Sequence, residues 1–317
     1  MSSGVLTLII GVGALLVLLG ITTMMIWLER RLLAGFQDRL GPNRVGPLGL
    51  LQPIADVLKL FMKEDWIPPF ADKLIYIIAP TIVVVTVLIA FAVVPFTKVI
   101  KISDANVGLL FFIGMTSLGV YSVVLAGWAS NSKYSLLGGM RAAAQMISYE
   151  IPMALSVVGV VIFARSFRLE DIVNAQSPLY FIVMQPLGFL IFMIAGIAEA
   201  RRIPFDIPEA DSELVAGYHT EYSSMKFALF FMGEYLDIIL VSAMTTVLFL
   251  GGWKGPVLPS IMWFAIKMFA VIVIFILLRA TLPRLRYDQL MNLGWKWLLP
   301  LSLVNILVTG ALALGVR

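Results

Sequence analysis

Residues 227–250 read FALFFMGEYLDIILVSAMTTVLFL. The stretch has 24 residues, and its only charged side chains are the carboxylates Glu234 and Asp237. As a helix rising 1.5 Å per residue it would be about 36 Å long, enough to cross a hydrocarbon core of about 30 Å. Working outward, comparable runs lie near 4–28, 74–95, 106–127, 142–164, 179–199, 258–279 and 296–314. The chain therefore reads as an all-α membrane protein. A bundle of about eight transmembrane helices forms one integral membrane domain over residues 1–317. Composition agrees: 60% of the 317 residues are hydrophobic and 13% are charged, against roughly 45–50% and 25% in soluble domains. The first run lacks a basic start and a small-residue cleavage site, so it is expected to be retained rather than removed as a signal peptide.

The placement of the basic residues gives an orientation. Loops after the first, third, fifth and seventh spans carry 16 of the 23 Lys and Arg residues, and the other loops and both termini carry 6. Lys267 lies inside the seventh span. The positive-inside rule then puts the basic loops in the cytoplasm (or matrix) and both termini on the outer side.

Residues 29–73 are too polar to span. Gly41, Pro42, Gly46, Pro47 and Gly49 punctuate a turn-rich stretch. A helix is expected near 48–62, with Leu50, Ile54, Val57 and Phe61 at helical spacing and Gln52, Asp56, Lys59 and Lys63 on the other face. Such an amphipathic helix belongs in the interface plane after the first span. Two roles stay open for it: a stabilising helix packed on the bundle, or one wall of a cavity open to lipid with Asp56 on the cavity side.

Carboxylates at membrane depth carry the functional argument. Glu150 sits near the middle of the 142–164 run, and Pro152 is expected to distort the helix beside it. Glu234 and Asp237 share one face at i, i+3 spacing. Glu199 ends the fifth span. A charge at the bilayer centre costs about 2.5–3.5 kcal/mol on insertion scales, so these groups should face the bundle interior. For any one of them a structural ion pair is the simpler reading. Several together, in a chain with 19 acidic residues, point to proton relay or ion handling. Lys267 is the expected cationic partner.

The loop at 199–226 concentrates acids further, with Glu199, Asp206, Glu209, Asp211, Glu213 and Glu221 against Arg201, Arg202 and Lys226. Ile203, Phe205, Ile207, Leu214, Val215 and Tyr218 interleave with them, so the loop should fold down onto the bundle or a partner. Arg279, Arg284, Arg286, Tyr287 and Asp288 form a polar turn of interfacial anchors, some of which could meet the acidic loop. Trp295 and Trp297 suit an aromatic belt.

Several chemistries are excluded. With no cysteine and the single His219, the chain alone cannot ligate an iron–sulfur cluster, a thiolate zinc or a bis-histidine haem. Gly11 and Gly13 lie inside an apolar span and make no dinucleotide fingerprint. Nothing suggests nucleic acid as a partner.

Six motifs together carry a resemblance. They are Glu29-Arg30-Arg31, Gly41-Pro42-Asn43-Arg44-Val45-Gly46-Pro47, Gly49-Leu50-Leu51-Gln52-Pro53-Ile54-Ala55-Asp56, Pro204-Phe205-Asp206-Ile207-Pro208-Glu209-Ala210-Asp211-Ser212-Glu213-Leu214, and the pair Gly233-Glu234-Tyr235 with Arg286-Tyr287-Asp288-Gln289-Leu290-Met291. Over nearly its whole length the chain resembles the family of the quinone-site membrane subunit of respiratory complex I, the proton-pumping NADH:quinone oxidoreductase.

The resemblance implies a subunit that is not catalytic alone. It would form the membrane part of a quinone chamber entered from lipid between the first span, the interfacial helix and the sixth span. Glu29, Arg30 and Asp56 would lie near the chamber and its entrance, with Phe231 and Met232. Asp206, Glu209, Asp211 and Glu213 would lie between chamber and proton path, and Glu150, Glu199 and Glu234 would lead onward. Asp237 has no position in the family pattern and joins the relay set by spacing alone. Quinone would be the substrate, with the iron–sulfur clusters and FMN in partner subunits. Those partners would be the peripheral-arm subunits around the quinone site and the small and antiporter-like membrane subunits.

Two other readings stay open. One is the equivalent subunit of a ferredoxin-fed or hydrogenase-type energy-converting complex, and the other is a stand-alone ion-coupled transporter. A purely structural anchor has no reason to keep acids in lipid. The wording of residues 218–227 favours a bacterial plasma membrane over a mitochondrial inner membrane.

Overall fold

In a computed structural model, residues 3–206 and 216–315 are described, with side chains from residue 11 onward. Among them are twelve α-helices and no strand. α1 (Ser3–Phe36) is 34 residues long and so outruns the hydrocarbon core by about 20 Å. Its last turns carry Glu29, Arg30 and Arg31 out of the apolar zone. A turn-rich loop follows, and Gly49 shows why it needs glycine. Its φ is +74°, and a Cβ there would lie 2.3 Å from the Pro42 carbonyl oxygen.

α2 (Gln52–Met62) opens with Pro53 in its first turn, where the missing N–H costs nothing. The inward face differs from the expected stripe. Pro53 is buried, and Val57 and Leu60 line a cavity, while Ile54, Leu58, Phe61 and Met62 are exposed. The apolar residues thus wrap most of the helix, and packing against two neighbours selects which of them turn inward.

α3 (Lys73–Ala90) and α4 (Gly108–Ala129) are ordinary long apolar helices. α5 (Lys133–Ala164) begins well before residue 142 and runs 32 residues, unbroken through Pro152. The distortion expected beside Glu150 does not break it. Short helices α6 (Leu169–Ala175) and α7 (Phe181–Met184) follow.

The expected fifth span is not one helix. Gln185, with φ −137° and ψ 61°, interrupts it before α8 (Pro186–Glu199), as expected for a residue preceding proline. α8 has 14 residues and about 21 Å of length, too short to cross by itself. Among the described residues, seven helices are long and apolar enough to cross a membrane, and α8 is a shorter eighth.

α9 (Ser224–Phe249) is the central post of the bundle, buried on every side from Gly233 to Phe249. The chain continues through α10 (Ser260–Thr281), α11 (Tyr287–Asn292), a π-helical turn at Leu293–Leu298 and α12 (Leu299–Gly315). The last span therefore starts earlier than 296. Its first turns are held to α5 by Tyr149 Oη donating to the Leu290 carbonyl at 2.9 Å and Trp295 Nε1 donating to Ser148 Oγ at 3.1 Å.

The described ends of the acidic loop do fold onto the bundle. Phe205 and Tyr218 are buried. Gln145 Nε2 donates to the carbonyls of Ala198 (2.9 Å) and Phe205 (2.8 Å). Arg284 meets Asp206 at 2.9 Å, so the polar turn and the acidic loop do pair.

Candidate functional site

An apolar cavity of about 280 Å³ lies between α1, α2 and α9. α1 supplies Leu19, Thr22 and Ile26, and α9 supplies Phe231, Met232 and Tyr235. Val57 and Leu60 of α2 close it. Two links hold the frame of its mouth. Arg30 pairs with Asp56 at 2.7 Å, and Gln52 Nε2 donates to Asp56 Oδ1 at 3.1 Å. On the other side Lys226 pairs with Asp65 at 2.5 Å, and Ser224 Oγ donates to the Leu60 carbonyl at 2.9 Å. Phe231 and Met232, expected near a quinone chamber, line this cavity. Arg30 and Asp56 sit at its frame and do not line it.

Behind the cavity wall runs a chain of buried charges. The Arg202 guanidinium lies 4.4 Å from the Tyr235 ring centroid. Its two terminal nitrogens reach Glu29 at 3.9 Å and Glu234 at 3.4 Å. Glu29 also pairs closely with Arg279 of α10. One residue earlier, Arg201 approaches Asp237 at 3.9 Å and donates to Tyr218 Oη at 2.8 Å. Arg201 is wholly buried, and Glu29, Glu234, Asp237 and Arg202 are each under a tenth exposed. The i, i+3 spacing of Glu234 and Asp237 is what sets them against two successive arginines.

Glu199 ends α8 beside this network. It is buried, and among the described residues its Oε2 has no hydrogen-bond partner. Glu150, Asp237 and Arg201 are its charged neighbours. Glu150 is half-buried on α5, and Ser117 Oγ of α4 donates to its Oε1. Asp206 joins the edge of the system through Arg284. Glu209, Asp211 and Glu213 lie outside the described residues.

One expectation fails. Lys267 is not the partner of any of these acids. Its Nζ donates to the carbonyls of Leu250 (2.7 Å), Gly252 (3.1 Å) and Lys254 (2.6 Å). It ties the carbonyl of Leu250, the C-cap of α9, to those of Gly252 and Lys254 in the loop beyond, at the end of the helix away from Glu234. His219 packs edge-on between the rings of Tyr218 and Phe227. Sequence reasoning also misses the true counterions, Arg201, Arg202 and Arg279. Their signal is an Arg-Arg pair just past Glu199 and an arginine at the end of a span, both of which read as markers of orientation alone. Among the described residues no group of three or more His, Asp or Glu could hold a metal ion.

The NADH dehydrogenase family profile matches residues 9–310. The H subunit of the NADH-quinone oxidoreductase of Methylococcus capsulatus is 57% identical over 306 residues, covering 96% of this chain and 97% of the relative. The second H subunit of the same enzyme from Syntrophobacter fumaroxidans is 56% identical, covering 94% and 92%. Its counterpart from Geobacter sulfurreducens, also the second H subunit of that organism, is 55% identical, covering 93% and 92%.

Proposed function

The chain belongs to the NADH dehydrogenase family, and from that premise we propose that it walls the quinone site of a proton-translocating NADH:quinone oxidoreductase and couples quinone reduction to proton movement. It acts as a subunit of that oxidoreductase, alongside the other subunits of the complex. Near-full-length likeness to H subunits of NADH-quinone oxidoreductases favours this over the hydrogenase-type and transporter readings. Its place is the bacterial plasma membrane, with both termini on the outer side.

The observation that carries the proposal is a shared wall. Tyr235 lines the apolar cavity on one side and stacks under Arg202 on the other. Arg202 in turn holds Glu29 and Glu234. The cavity suits an apolar quinone entering from lipid between α1, α2 and α9, with Arg30 and Asp56 framing the entrance. Electrons come from iron–sulfur clusters and FMN in partner subunits. This chain's contribution is electrostatic. A change of charge or protonation at the quinone is felt by the arginine pair through short, water-poor contacts, where charges interact strongly.

Glu199, a buried acid with no ion pair of its own among the described residues, is the natural place to take up and release a proton. The direction is from Glu234 and Asp237 past Glu199 to Glu150, which lies half-buried at the edge of the chain. Asp206, held by Arg284, completes the set between chamber and relay.

The test uses the assembled complex in membranes. Glu150→Gln and Glu234→Gln, made separately, should each cut proton pumping and quinone-coupled NADH oxidation severalfold. Normal pumping in both would overturn the relay. Asp56→Ala should lower quinone reductase activity and spare electron transfer to ferricyanide. Undiminished quinone reduction would remove Asp56 from the entrance.

A further inference from the structure

α1 has two apolar faces. One, through Leu19, Thr22 and Ile26, lines the cavity already described. The other, through Val17, Gly20, Met24 and Leu28, forms an open groove of about 840 Å³ against Phe269 and Ile272 of α10. Gly20 faces open space in this groove, where a Cβ would meet nothing within 4 Å.

The groove's length says what kind of occupant fits. From Val17 to Leu28 the helix rises about 17 Å, close to half of a hydrocarbon core of about 30 Å. That is one leaflet. An acyl chain is long enough to fill a groove of that length. The head of the groove supports the same choice. Trp27 lines it there, and its Nε1 donates to the Leu48 carbonyl at 3.0 Å, which pins the ring at the depth where indoles favour the membrane interface. Arg31 follows Leu28 and Trp27 at i+3 and i+4, so it stands on the same face. Its Nη1 donates to the Pro42 carbonyl at 3.4 Å. No carboxylate among the described residues pairs with it. An arginine fork left with donors to spare, at the mouth of an apolar slot one leaflet deep, is complementary to a phosphate with a chain below it.

We propose that the α1–α10 groove holds an acyl chain of a bound phospholipid whose phosphate is gripped by Arg31. The lipid would back the helix that forms one wall of the cavity. It would cover Val17 and Met24, which are exposed on that face of α1.

A photo-crosslinking amino acid at Phe269, in the whole complex, tests this. Leu307, exposed on α12, serves as the control position. The complex is irradiated in native lipid and again after detergent delipidation, and adducts are identified by mass spectrometry. A phospholipid adduct at Phe269 should survive delipidation at least severalfold better than the adduct at Leu307. In the Arg31→Gln complex it should fall to the control level, and Arg31→Lys should keep most of it. An adduct to another subunit or to quinone would overturn the proposal. So would a phospholipid adduct that washes out as fast as the control.

Discussion

Arg202 is the residue on which the buried network turns, and replacing it by methionine isolates its effect. The substitution keeps an unbranched apolar side chain and removes the charge. Arg202 is 8% exposed. It serves Glu29 at 3.9 Å and Glu234 at 3.4 Å, and it stacks on Tyr235 at 4.4 Å. Removing one partner of a buried ion pair costs about 3–5 kcal/mol, because the remaining charge stays desolvated. Glu29 keeps Arg279, which places the expected loss at the lower end, about 3 kcal/mol. At about 1.4 kcal/mol per decade that is about a hundredfold in the ratio of folded to unfolded protein.

The readout is the amount of assembled complex on a native gel after mild heating, which does not depend on turnover. Arg202→Met should lower it by more than tenfold. Adding Glu234→Gln to that variant should recover severalfold, because the carboxylate that lost Arg202 is then neutral. Such coupling is expected of residues in direct contact. Arg202→Lys should fall between, since one ammonium cannot reach both carboxylates as the guanidinium fork does. If Arg202→Met assembles like the parent, or if Glu234→Gln makes it worse, the arginine does not carry the carboxylates and the reasoning fails.

Two further outcomes follow from packing alone. Lys267→Met leaves the carbonyls of Leu250, Gly252 and Lys254, in the turn that follows α9, short of a donor, at about 1–3 kcal/mol for each one that water cannot reach. The heat-inactivation midpoint of the complex should fall by several degrees while quinone reductase activity per assembled complex is unchanged. Equal midpoints would show that water replaces the ammonium. Gly138→Ala should also impair assembly, because its Cβ would fall 2.6 Å from the Gly217 backbone beside Tyr218, and overpacking typically costs about 1–3 kcal/mol. Gly310→Ala, which meets nothing within 4 Å, is the control and should assemble normally on the same gel.

Much of the site is legible in the sequence. Hydrophobic runs are read from local composition, so the spans, the interfacial helix and the acids inside the spans all follow from it. Phe231 and Met232 are singled out by resemblance to a family, and both line the apolar cavity. What composition cannot supply is pairing. Lys267 looks like the counterion because it shares a span's depth with the acids. It is occupied instead by backbone carbonyls of the turn after α9, since backbone oxygens in an apolar setting must find donors. Arg201 and Arg202 look like loop charges marking a membrane face. The backbone turn after α8, with Arg201 at φ +52°, folds them back into the bundle. The break at Gln185 is likewise hidden in an apolar run, because hydropathy averages over the residue before proline.

The sequence by itself determined that this chain lies in a membrane, how its helices are ordered, and that it keeps scarce carboxylates where they are costly. Those are properties of segments, set by transfer free energy along the chain. Only the tertiary structure decided which cation neutralises which acid, that Glu199 stands apart from the ion pairs beside it, and that Tyr235 joins the cavity to the charges behind it. Those depend on side chains far apart in the chain coming within a few ångströms, where a low dielectric makes each ångström count.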